Sequence, residues 1–294
     1  MLNRNMKKYY PFYFVVPALV PYIGIYIAAV LFGFGLALTD WNVYSMSPSQ
    51  FVGLGNFKML FQNWQFGLAL RHTAIFTLVT AVLKTVFALL LALMLNAKFP
   101  GRNFFRAAFF VPCVVSTLVV GYIFNFLYQA DGGLVNQALT WIGLGSLAQD
   151  WLGDPRFALF SVSMIDVWQW TGFSIVIILA GLQSVPKELI EAAKIDGAGA
   201  FRTFQNVTFQ FVRPSVNICI ILSLIGGFKV FDVVMATTQG GPGFDTEVLG
   251  TMIFKSTNGG SLGYSGALAL VQFLIITVIT LPTLTALRQK EVEL

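Results

Sequence analysis

Charge is scarce in this chain. Its 13 acidic and 18 basic side chains make up 11% of 294 residues, whereas a soluble domain of ordinary composition carries about 25%. Too few charges remain to clothe a water-facing surface, so the expectation moves to an integral membrane protein. Cysteine is scarcer still. Cys113 and Cys219 each lie inside an apolar run, which excludes a disulfide framework and a cysteine metal cluster. The single histidine, His72, falls at the expected membrane interface and supports neither a metal site nor a proton relay. No Gly-Lys-Ser/Thr phosphate loop occurs, so this chain cannot itself hydrolyse ATP. A low-complexity linker, a soluble domain and a convincing internal repeat are lacking too.

What is present is apolar: 56% of the residues are hydrophobic, 29 of them Phe, and the mean hydropathy is +0.75. A bilayer core of about 30 Å needs roughly 20 apolar residues in helix, and only helices or closed barrels satisfy the backbone there. Six runs reach that length, near Phe12 to Leu38, Leu70 to Leu95, Phe104 to Tyr128, Phe157 to Leu182, Ser215 to Thr237 and Leu262 to Leu287. They lack the period-2 alternation of barrel strands. The fold class is therefore all-α, a polytopic membrane protein organised as one transmembrane domain over 1–294. The first run follows Arg4, Lys7 and Lys8 as a signal peptide would, but it exceeds a signal's apolar core and has no clear cleavage site, so it reads as a retained helix. Pro17, Pro21, Pro112 and Pro282 predict kinks, tolerated where neighbours satisfy the freed carbonyls.

The net charge of +5 comes from short basic clusters between apolar runs. An aromatic-interleaved basic face is missing, which excludes nucleic acid as a partner. One set of connections holds Arg4, Lys7, Lys8, Lys98, Arg102, Arg106, Lys187, Lys194, Arg202, Arg213, Arg288 and Lys290, twelve in all; the other holds four, Lys58, Arg71, Arg156 and Lys255. The positive-inside rule then puts both termini and the connection 184–213 in the cytoplasm. Trp41, Tyr44, Trp64, Trp141, Trp151 and Tyr264 fall in the outer connections, where amphipathic aromatics anchor a membrane interface.

The longest inner connection reads SVPKELIEAAKIDGAGAFRTFQNVTFQFVRPS, from Ser184 to Ser215. Ser184 and Pro186 can open a helix, with Glu188 at the favourable end of its dipole. Gly197 and Gly199 permit a reversal, and Phe201, Phe204, Val207, Thr208 and Phe211 form the stripe of a second helix. Two short helices joined at glycine make a knob, not a span. Here the sequence resembles the signature loop of ABC importer permeases. Glu191, Ala192, Ala193 and Gly197 match it, Asp196 matches the Ile-Asp-Gly-Ala form of the sugar branch, and Phe209 and Gln210 stand where that pattern has Leu-Pro. Trp168 to Gln183 and Phe231 to Gly250, with Gly240-Gly241-Pro242-Gly243, are similar to segments of the maltose F-type partner.

The resemblance implies a type I ABC importer permease fold in a bacterial cytoplasmic membrane. It further implies a second paralogous permease, two ATPase subunits and an extracellular or periplasmic solute-binding protein as partners, besides membrane lipid. ATP and Mg²⁺ would be held by the ATPase subunits, with no cofactor in this chain. Glu191, Ala192, Ala193, Asp196 and Gly197 would couple the permease to them. The solute implied is a carbohydrate, with glycerol phosphate or another non-sugar solute as the alternative. A stand-alone secondary transporter using Asp166, Lys229 and Asp232 as a proton path is the rival class, and it predicts inverted repeats.

Ionisable groups in mid-span cost about 2.5–3.5 kcal/mol on insertion scales and need a partner or a cavity. Asp166, Gln169, Trp170 and Phe173 share one helix face. The resemblance places that face on the substrate cavity, with helix packing as the alternative. Lys229 and Asp232, spaced i, i+3 near Ser223 and Gly227, are read as solute contacts or as a mutual ion pair. Lys84 is assigned mainly to packing or snorkelling, with a pore role as the alternative.

Overall fold

The structure, a computed structural model, describes residues 12–46 and 48–288. Arg4, Lys7, Lys8 and Lys290, which weigh in the orientation argument, lie outside the described residues. In chain order the helices are α1 (Val16–Leu36), α2 (Gly55–Gln62), α3 (Trp64–Asn96), α4 (Arg102–Val114), α5 (Thr117–Leu127), α6 (Leu134–Trp141), α7 (Ala158–Gln183) and α8 (Lys187–Ile195). They continue as α9 (Ala200–Phe228), α10 (Asp232–Thr237), α11 (Leu249–Asn258) and α12 (Leu262–Arg288). Among the described residues β structure is confined to two isolated bridges, Thr39 with Phe51 and Asn42 with Ser261.

Two compact units are distinguishable, one of residues 1–63 and 253–271, the other of 64–252 and 272–294. In the first, α1 has no buried residue in its most apolar stretch, as suits a helix that faces lipid. Pro21 is followed by a π-helical turn, Tyr22–Ile27, the local widening that commonly re-satisfies a helix disturbed by proline. Beyond α1, Asn56 is almost fully buried, and its Nδ2 donates to the carbonyls of Ala37 at 2.8 Å and Thr39 at 2.7 Å.

The second unit is built on α3, α7 and α9, which pack against one another. Small residues let them approach: Ala88 and Ala92 of α3 are wholly buried with Ile178 and Leu182 of α7 and Val212 and Val216 of α9. In lipid, close van der Waals packing replaces water exclusion as the force between helices. Their hydroxyls turn inward on their own helices: Thr73 Oγ1 donates to the Ala69 carbonyl and Thr77 Oγ1 to that of Thr73, each at 2.7 Å.

Five helices are long and apolar enough to cross a membrane, and the bent pair α4 with α5 makes a sixth. Two expected spans are corrected. The run Phe104 to Tyr128 is not one rod, since α4 and α5 meet at 100°. The break comes at Val115, which is extended, and Ser116, which is non-helical at φ −57 and ψ 132, rather than at Pro112, because Gln169 of α7 donates to the freed Val115 carbonyl at 2.9 Å. The run Ser215 to Thr237 is likewise divided. Its helix starts at Ala200 and stops at Phe228, and Phe231, with φ −150, opens the separate α10.

Candidate functional site

A cavity of about 340 Å³ opens in the second unit. α7 supplies Asp166, Trp170, Phe173 and Ser174, α3 supplies Lys84, and Thr117 opens α5 at its edge. The end of α9 and the chain after it, including Ser223, Lys229 and Asp232, complete the wall. Lys84 Nζ donates to Asp166 Oδ2 at 2.8 Å, and the two side chains are 7% and 12% exposed. Each charge taken from water costs several kcal/mol, which a close, well-formed pair can offset. The pair ties α3 to α7 and leaves one edge toward the cavity. Trp170 and Phe173, one turn apart, are 37% and 43% exposed.

The break between α9 and α10 removes the i, i+3 relation assumed for Lys229 and Asp232. Lys229 caps α9, Asp232 starts α10, and both are exposed with no salt bridge between them. They reach the same cavity from the two sides of an irregular turn. Gln169 is fully buried away from the cavity and braces the α4–α5 break. Gly227 is also off the cavity. A Cβ there would stand 2.8 Å from the Thr77 backbone, so its role is to let α9 lie close on α3. His72, expected at the interface, is buried within the protein, with Nδ1 3.2 Å from the Glu247 carbonyl. Lys84, read mainly as a packing residue with a pore role as the alternative, both pairs with Asp166 and lines the cavity. A lone lysine in a 33-residue apolar helix was the available signal.

The connection 184–213 has a different surface. Helix α8 carries Glu188 in its first turn and Lys194 in its last, both favourable to the helix dipole. Gly197 follows at φ +76, a left-handed turn that a residue with a branched Cβ resists. Glu191, Ala192, Asp196 and Gly197 are exposed and Ala193 is half-buried. Around them Ile195 is 86% and Phe201 76% exposed. The second helix of the expected knob is no separate short element, since it runs on through a π turn, Phe204–Thr208, into the body of α9. At the other conspicuous turn, Gly240 and Gly243 have φ +92 and +58 about a cis Gly241–Pro242 bond.

Residues 84–289 match the family described as binding-protein-dependent transport system inner membrane component. The chain is 35% identical over 284 residues to the probable ABC transporter permease protein YurN of Bacillus subtilis, covering 96% of each. It is 32% identical over 280 residues to the multiple sugar-binding transport system permease protein MsmF of Streptococcus mutans, covering 95% of each. Its fold is similar to a chain in the crystal structure of a bacterial ABC transporter involved in the import of the acidic polysaccharide alginate. The TM-score is 0.82 at 21% identity, over 95% of this chain and 94% of that one.

Proposed function

The chain belongs to the family of binding-protein-dependent transport system inner membrane components, and from that membership we propose that its solute is a carbohydrate. It is a multi-pass transport subunit of the ABC permease kind, not an enzyme. The observation that carries the carbohydrate reading is the cavity. Two aromatic faces, Trp170 and Phe173, stand beside a lysine–aspartate pair and Ser174. Such a wall holds a polyhydroxylated ring by apolar contact and a few hydrogen bonds without a deep pocket. The multiple-sugar relative supports the same class. Formal charges at the cavity balance, Lys84 and Lys229 against Asp166 and Asp232, which favours a neutral sugar over a uronic acid or a glycerol phosphate.

The partners proposed are a second permease, two ATPase subunits and a solute-binding protein outside. ATP and Mg²⁺ would sit on the ATPase subunits, because this chain has no phosphate-binding loop. The twelve-to-four basic asymmetry supports cytoplasmic termini and a cytoplasmic connection 184–213. There Glu191, Ala192, Ala193, Asp196 and Gly197 would receive the ATPase. The test is Trp170→Ala beside Val176→Ala, the latter on a side chain outside the cavity lining and 49% exposed. In assembled complexes of equal yield, loss of the Trp170 ring lowers solute-stimulated ATP hydrolysis and uptake, and the Val176 change leaves them near wild type. Equal defects in the two variants would sink the cavity reading.

A further inference from the structure

A second concavity lies apart from the solute cavity. Leu91, Met94 and Leu95 at the end of α3, Phe99 after it, and Phe105 and Phe109 on α4 line a groove of about 500 Å³. Its walls are apolar, and Met94 is 66% exposed. At its end, where the chain turns from α3 into α4, stand Lys98, Arg102 and Arg106. No Asp or Glu occurs anywhere in residues 64–130, and none of the three cations has a salt-bridge partner among the described residues. Arg106 Nη2 donates to the Leu95 carbonyl at 2.9 Å, one of the last carbonyls of α3 that have no intrahelical donor. That bond holds the guanidinium at the groove end, while its Nε is buried with no acceptor among the described residues. A buried donor left unpaired is costly, and here it sits beside two further cations that lack a counter-charge.

An apolar trough closed by unpaired cations at a membrane helix end complements an amphiphile with an acyl tail and an anionic head. We propose that this groove binds an anionic phospholipid, one acyl chain lying along Met94, Phe105 and Phe109 and the phosphate seated at the groove end beside Lys98 and Arg102, with the positive charge of the Arg106 guanidinium behind them. An apolar helix of another subunit would fill the trough but leave the three cations unanswered. The proposal rests on the membrane setting of the chain and is independent of the solute.

The test uses full-length Met94→Trp chain, assembled with its partner subunits in phosphatidylcholine vesicles, with the identically assembled unsubstituted complex, whose emission includes this chain's six native tryptophans, as baseline. Brominated phosphatidylglycerol quenches the introduced indole at mole fractions where brominated phosphatidylcholine does not. Lys98→Gln with Arg102→Gln raises the half-quenching mole fraction by about fivefold per charge removed. Equal quenching by the two lipids would overturn the headgroup assignment and with it the proposal. Absence of quenching by either would also overturn it, and would mark the groove as covered by a protein helix.

Discussion

Lys84 and Asp166 lie 82 residues apart in sequence and 2.8 Å apart in space. Because each is desolvated, removing one strands the other: Lys84→Met alone is expected to cost about 3–5 kcal/mol. Lys84→Met combined with Asp166→Leu restores most of that loss, since an apolar pair carries no desolvation penalty. Thermal unfolding of the detergent-solubilised chain measures both, and additive losses would refute the pairing. If the pair also contacts solute, the double variant regains stability without regaining uptake. The sequence made it legible that Asp166 and the mid-span lysines needed partners, because the insertion cost is a property of each residue. It could not say which partner, because nothing in it tells which face of α3 meets α7. Spacing suggested Lys229 and Asp232 to each other, and that inference assumed a helix that stops at Phe228 instead.

Helix existence was legible from apolar run length, and the third span shows where that reasoning stops. Its break at Ser116 depends on a side chain from another helix, Gln169, accepting the burden of the Val115 carbonyl. No local signal near Ser116 encodes it, and Pro112 pointed one turn too early. The connection 184–213 is the opposite case, because Glu188, Lys194 and Gly197 fix its first helix and turn by local preferences alone. A prediction belongs to this element. Gly197→Val forces a β-branched residue to φ +76, a conformation costing at least about 1–2 kcal/mol, and Glu191→Lys reverses an exposed charge on α8. Both should abolish solute-stimulated ATP hydrolysis in assembled complexes while sparing delivery by the binding protein. Normal stimulation in both would remove the connection from the coupling path.

Across the whole molecule the fold class and the number of spans were readable because a bilayer leaves the backbone few choices, whereas the packing of α3, α7 and α9 was not. Orientation rests on the distribution of basic residues, and it predicts opposite reactivities at two exposed positions. In a Cys113→Ala, Cys219→Ala background, Trp141→Cys should react with an impermeant thiol reagent added outside intact cells, and Ile195→Cys should react only after permeabilisation. Those side chains are 88% and 86% exposed in the native chain, so access alone separates them. Outside labelling at position 195 would invert the topology. One geometric consequence remains in α9, which carries the exposed Phe201 near one end and the cavity residue Ser223 near the other. At 1.5 Å per residue those ends of the rod are roughly 33 Å apart, so a pivot of about 5° at one displaces the other by about 3 Å. A π turn, Phe204–Thr208, and Pro214 interrupt the rod between those ends, and under the proposed docking a push on the connection 184–213 would reach the cavity wall as a lever's stroke, less whatever those two interruptions absorb.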